Sequence, residues 1–218
     1  MTTTPTAPLT AEESATERLA AEGQPPPVEL SSESGAILLH LARSVVAATA
    51  SGRLRREDVS SFLPLHPPAE ILAPAAAFVT LYQEDELCGC VGCLDLGLPL
   101  WQSVVSAAAS AATRDPRFFP VTEREVPSLS VHISVLGRAV PLEDPSAYRP
   151  GIDGLIVERA GRRGLLLPEV ASDQGWGVEE MLEATSGKAG LPGDAWRDER
   201  THVFVFRTAR VSEGDATG

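Results

Sequence analysis

The sequence predicts an α+β fold, a mainly antiparallel sheet flanked by helices. Three patterns carry that expectation. Residues 129–136 alternate, with Leu129, Val131, Ile133 and Val135 on one face and Ser130, His132, Ser134 and Leu136 on the other, the period of a strand buried on one side. Residues 77–82 and 87–92 are strand-like runs joined by the short acidic Gln83-Glu84-Asp85-Glu86, which reads as a hairpin. Residues 35–50 and 100–114 carry apolar stripes at helical spacing, as helices packed on a sheet do. Turns this short join antiparallel strands, because parallel pairing needs a long crossover.

The 218 residues suit one domain with tails, or one domain with a small lobe. At 43% hydrophobic residues the chain can bury a core. The formal charge is -12, from 30 acidic and 18 basic residues. A nucleic-acid backbone is repelled by such a field, so no nucleic-acid partner is expected. No apolar run is long enough to span a bilayer. Met1-Thr2-Thr3-Thr4-Pro5-Thr6 lacks the basic start and apolar stretch of a secretion signal. Three clustered cysteines do not make a disulfide framework. The expectation is a soluble, cytoplasmic protein with no membrane partner.

In chain order, residues 1–31 are rich in Thr, Ala, Glu and Pro and end in Pro25-Pro26-Pro27. They read as a disordered or loosely docked tail, with a transient helix over 11–21. The domain is expected over 32–211. Ser32 or Ser34 would cap a helix over 35–50 whose inner stripe is Ile37, Leu38, Leu41, Val45 and Val46. Prolines 64, 67, 68 and 74 punctuate a long loop with no regular element. After the hairpin, Trp101, Val104, Val105, Ala108, Ala111 and Ala112 form the apolar face of helix 100–114, and its alanines would let it lie close to a sheet. Pro116 forbids its continuation. A second hairpin pairs 154–158 with 163–167 around Ala160-Gly161-Arg162, and Leu167-Pro168-Glu169-Val170 closes it. Residues 177–186 form an amphipathic helix with Val178, Met181 and Leu182 inward, and 201–210 a last strand. Strands 78–82, 87–92, 129–136 and 202–207 are expected in one sheet, with a frayed tail over 212–218.

Chemistry concentrates in Leu87-Cys88-Gly89-Cys90-Val91-Gly92-Cys93-Leu94-Asp95, which holds all three cysteines. On a regular strand Cys88 and Cys90 share a face and Cys93 points the other way. That geometry, the lack of paired Cys-x-x-Cys spacing and the absence of a nearby His argue against a metal site. No metal or cofactor is expected. Gly89 and Gly92 stand where a backbone could pass close to a ligand. Cys90 is a candidate nucleophile or covalent anchor, and also reads as a small residue packed in a sheet. His132 could be its base if the two strands are neighbours, or a His hydrogen-bonded at the sheet surface. Arg114, Asp115 and Arg117, beside Phe118 and Phe119, could bind an anion or a planar substrate, or form a salt-bridged connector. Cys88, Gly89, Gly92, Arg114, Asp115 and Arg117 are the candidate substrate-binding residues, expected with Cys90 around one groove that would take a small molecule or peptide.

Several segments, in order, resemble the AMMECR-type domain, protein A of the AmmeMemoRadiSam system. They are Phe78-Val79-Thr80-Leu81, Leu87-Cys88-Gly89-Cys90-Val91-Gly92, Asp115-Pro116-Arg117-Phe118, Ile133-Ser134-Val135-Leu136, Gly151-Ile152-Asp153-Gly154, Leu167-Pro168-Glu169-Val170 and Lys188-Ala189-Gly190-Leu191. The resemblance implies an α+β fold with a smaller lobe. It also implies an association with a radical-SAM protein and a Memo protein that looks like an extradiol dioxygenase. The cysteine of the family signature Leu-Arg-Gly-Cys-Ile-Gly falls on Cys90; its arginine falls on Cys88, where this chain departs. Two functions are then open. One is an enzyme, or its substrate-holding subunit, with Cys90 as nucleophile or anchor. The other is a non-catalytic module that binds a protein or peptide.

Overall fold

A computed structural model describes residues 25–214 and divides them into two units: residues 28–137 with 209–214, and residues 138–208 with 25–27. The helix expected over 11–21 and most of the expected N-terminal tail lie outside the described residues. Each unit has its own core and its own four-stranded sheet, and the α+β class stands. Among the described residues, no helix is long and apolar enough to cross a membrane.

In the larger unit, helix α1 (Ser32–Ala50) starts three residues earlier than the apolar stripe suggests. Its cap is Ser31, not Ser32 or Ser34: Ser31 Oγ accepts from the Ser34 backbone N–H at 3.2 Å. The reason is tertiary. Ser31 donates through both N and Oγ to the Glu70 carboxylate, at 3.0 and 2.9 Å, which fixes the chain as it enters the helix. Glu70 lies on the one-turn helix α2 (Ala69–Leu72). That turn and a 3-10 turn, Arg56–Phe62, occupy the stretch expected to be irregular.

Strands β1 (Ala77–Gln83) and β2 (Glu86–Cys93) form the first hairpin. Its two central residues, Glu84 and Asp85, both have positive φ, 49° and 68°. That is the turn geometry whose twist matches paired strands, here built without the usual glycine. Helix α3 (Leu100–Thr113) follows, then β3 (Leu129–Leu136), with Leu129, Val131, Ile133 and Val135 buried as the alternation predicts. The last strand of this unit is β8 (Thr208–Ser212), and the sheet order is β2-β1-β3-β8. Both long helices pack on one face of the sheet and on each other. Ala107, Ala108, Ala111 and Ala112 of α3 are all buried there.

The smaller unit contains β4 (Val140–Pro141), β5 (Gly154–Arg159), β6 (Arg162–Leu166) and β7 (His202–Phe206), in the order β4-β7-β5-β6. The β5–β6 hairpin turns at Ala160 and Gly161, both at positive φ. Residues Glu169–Gln174 form helix α4, where the sequence suggested only the close of a hairpin. Helix α5 (Val178–Lys188) buries Met181 and Leu182.

The single last strand expected over 201–210 is two strands, β7 and β8, in different sheets. Residues 202–206 therefore do not join β1, β2 and β3. A continuous apolar run cannot reveal that its partner changes midway. Position 213, expected within a frayed tail, is held in place. Glu213 accepts from the Val131 backbone N–H at 2.9 Å and forms an ion pair with Arg43 of α1. Arg43 donates to the carbonyls of Val126 and Leu129 as well, at 2.8 and 2.6 Å.

One guanidinium thus satisfies the start of β3 and anchors the end of β8. Arg43→Met should cost about 2 kcal/mol, because it strands half-buried acceptors that were bonded to a charge. Glu213→Gln should cost less, since the amide oxygen still accepts from Val131. Urea unfolding of the two variants checks the order.

Candidate functional site

The cysteine strand β2 is at the edge of its sheet. Its position is set by how closely it lies on α3. A Cβ on Gly89 would sit 2.3 Å from the Ala111 carbonyl oxygen, so only glycine admits the contact. A Cβ on Gly92 would sit 2.5 Å from the Phe78 ring. The space beside both glycines is filled by the protein itself, so neither offers the ligand cradle that the sequence suggested.

Beyond Ala111 of α3, Asp115 and Arg117 come to the same edge. The helix stops at Thr113, with Arg114 as its C-cap, and Pro116 turns the chain back. Asp115 is 6% exposed, and its Oδ2 accepts from the Cys90 backbone N–H at 2.9 Å. The Arg117 guanidinium grips the same carboxylate with Nε at 2.9 Å and Nη2 at 2.7 Å. Arg117 Nη2 also donates to the Cys90 carbonyl at 3.4 Å. Asp115 and Arg117 therefore supply the acceptor and donor that a further strand would have supplied, and close the sheet edge at Cys90. The Arg117 hydrogen bonds hold the Asp115 carboxyl well below the usual carboxylate range, against the opposing effect of burial, with the Cys90 and Arg117 backbone N–H groups adding to the lowering. The same contact, again against burial, raises the Arg117 guanidinium, and the Cys90 thiol adds to the rise. Arg114 does not join this cluster. It is exposed, and its side chain makes no hydrogen bond or ion pair among the described residues.

The thiols separate. Register runs Leu81↔Gly89 and then Tyr82↔Leu87, so Cys88 is the extra residue of a β-bulge. The bulge removes Cys88 from the face of Cys90, which corrects the same-face expectation. Cys88 packs with Val91 and Cys93 against the helix-covered core. Its thiol is pushed up, first by burial and further by Glu125 and Glu86, despite a backbone hydrogen bond at Gln83. It lines a cavity of about 250 Å³ with Leu87, Phe118, Phe119, Thr122 and Glu125. Cys90 instead points to the other face, where its Sγ accepts from Thr80 Oγ1 at 3.3 Å. All three cysteines are free. Among the described residues, no group of three or more His, Cys, Asp or Glu could hold a metal ion.

His132 is not beside the cysteine strand. β1 lies between β2 and β3, in the register Cys90↔Thr80↔His132. Two strand spacings place the His132 backbone about 9.6 Å from that of Cys90. Its ring meets Tyr82 edge-on at 4.8 Å, and Nε2 lies 3.1 Å from Ser130 Oγ. The strand adjacency on which the reading of His132 as a base for Cys90 depended is therefore not found. Thr80 is the residue that sequence reading missed. Its only signal was a hydroxyl in the middle of an apolar strand.

The smaller unit has a larger cavity of its own, about 650 Å³, lined by Leu142, Leu182, Trp196, Arg197, His202 and Phe204 among others. The Arg197 guanidinium stacks on Trp196 at 4.0 Å and pairs with Glu179. No sequence motif pointed to it.

Comparison with known proteins places these segments in context. The AMMECR1 family model matches residues 39–211. A protein of Methanothermobacter thermautotrophicus is 41% identical over 184 residues, covering 82% of this chain and 93% of its own. Protein PH0010 of Pyrococcus horikoshii is 39% identical over 179 residues, covering 74% of this chain and 86% of its own. The crystal structure of that uncharacterized Pyrococcus protein superposes with a TM-score of 0.76 at 35% identity, over 84% of this chain and 93% of that one.

Two outcomes follow from the edge closure. Gly89→Ala should lose about 1–3 kcal/mol in urea unfolding, because a methyl cannot displace a helix carbonyl cheaply. Asp115→Asn should alter the pH dependence. A carboxyl lowered by folding stabilises fully above its unfolded value, near pH 4, and that stability is lost as pH falls through the window beneath it. The gap in stability between wild type and Asp115→Asn should therefore be largest near about pH 7 and shrink below about pH 4. A gap that widens in acid would contradict the assignment.

Proposed function

The chain belongs to the AMMECR1 family, and on that premise we propose that Cys90 is the reacting thiol of an enzyme or of its substrate-holding subunit. The observation that carries this is the clamp around one residue. The backbone N–H and carbonyl of Cys90 are held by Asp115 and Arg117, while its sulfur is held by Thr80. Thiolate is the nucleophilic form, and a nearby cation favours it. Arg117, with its side chain 56% exposed, is that cation, and its free side can receive an anionic group of a substrate. Cys88 does not fill this role: its thiol is pushed toward the neutral form. The family association with a radical-SAM protein and a Memo-type protein supplies the setting in which such a subunit would work.

A second reading has its own support. Phe119 is 95% exposed at the rim of the cavity lined by Leu87, Cys88 and Phe118, and exposed aromatics beside apolar hollows mark contact sites for partners. A non-catalytic module would bind a peptide there.

Alkylation distinguishes the two. Rates are measured against pH for wild type, Cys88→Ser, Cys90→Ser and Cys93→Ser. Under the enzyme reading Cys90→Ser removes most labelling, while Cys88→Ser and Cys93→Ser leave it largely in place. If Cys93 labels first, or all three react only as the protein unfolds, the enzyme reading is lost and the binding module is favoured.

A further inference from the structure

The Cys90 sulfur has one hydroxyl neighbour, and nothing in the sheet requires that hydroxyl. Thr80 sits in the middle of β1, whose backbone is paired on both sides, with β2 and with β3. Its side chain therefore caps nothing and substitutes for no main-chain partner. Valine would serve the strand equally well on shape and β-propensity. What valine lacks is the donor. Thr80 Oγ1 lies 3.3 Å from Cys90 Sγ, across a directly opposed pair, Thr80↔Cys90. The side chain is half-buried, and a β-branched residue on a strand has few rotamers. The backbone of β1 thus aims the hydroxyl. His132, the next residue in the row, turns instead toward Ser130 and Tyr82.

We propose that Thr80 is the positioning residue of the Cys90 site, its hydroxyl selecting the direction of the sulfur and donating a hydrogen bond to it once the thiol proton has left. This rests on Cys90 being the reacting thiol. On ionisation the Cys90 proton passes to a solvent base, and the Thr80 proton stays on its own oxygen. No bond to that oxygen forms or breaks. Thr80 acts on the sulfur from the neighbouring strand, and Arg117 holds the Cys90 carbonyl from the sheet edge, so a hydrogen-bond donor and a cation stand on two sides of the residue.

The test uses the full chain and iodoacetamide, with the adduct located by fragmentation mass spectrometry. Wild type, Thr80→Val and Thr80→Ser are compared across pH, with a thermal melt of each. Thr80→Val should slow Cys90 labelling about three- to tenfold near neutrality, the effect of losing one hydrogen bond. Thr80→Ser, which keeps the hydroxyl, should stay within about twofold of wild type. If Thr80→Val labels Cys90 as wild type does, the role of Thr80 is overturned while that of Cys90 stands. If the Val and Ser variants slow alike, the methyl group matters rather than the donor, and the proposal falls. An unreactive Cys90 in the wild type overturns both. Should Thr80→Val fail to fold, Thr80→Ala against Thr80→Ser is judged by the same criterion.

Discussion

The distance between β2 and α3 governs the larger unit. At Gly89 the strand meets the Ala111 carbonyl with no side chain between them. A sheet usually lies farther from a helix than that, because side chains from both fill the gap. Here the helix supplies alanines and the strand supplies a glycine, and the two backbones touch. The end of α3 is consequently delivered to the sheet edge, where Asp115 can reach a strand N–H. The smaller unit uses the same device: a Cβ on Gly164 of β6 would fall 2.3 Å from the Thr185 carbonyl oxygen of α5. In both units a glycine on a strand sets how deeply a helix docks.

That contact decides which charged groups stand beside Cys90. The chain carries a formal charge of -12, a field that disfavours thiolates in general. Arg117 is brought to this thiol by its grip on a buried Asp115, not by any sequence neighbour of Cys90. The pair is almost neutral as a whole, but its positive half is the exposed half. Where the family signature has an arginine, this chain has Cys88, next to Glu86 and Glu125. Charge lost on one side of the strand is thus not replaced there. The cation that remains arrives from the turn after α3.

The bulge at Cys88 has a comparable effect on the thiols. A regular strand would put two of them on one face. One extra residue moves Cys88 toward the helix-covered side, with Val91 and Cys93, and leaves Cys90 alone with Thr80. The three cysteines share six residues of sequence, but Cys88 and Cys93 lie against the core while Cys90 meets a hydroxyl.

The α+β class, both hairpins, both long helices and the buried face of β3 were legible in the sequence, because period and turn chemistry are local. So was the meeting of Cys90, Asp115 and Arg117 at one place, since glycine-flanked and chain-stopping motifs break the core pattern. The cap at Ser31 was not, because Glu70, which holds it, is distant in the chain. The division of 202–212 between two sheets was not, because strand pairing is a choice among partners that all look alike to a short apolar run. The sequence by itself determined the two long helices, both hairpins and the buried face of β3, whose signals are local. Only the tertiary structure decided that β1 runs between Cys90 and His132, with Thr80 in the same row. Pairing order and register are set by the packing of the whole sheet on its helices, and a single bulge or an intervening strand changes which side chains meet.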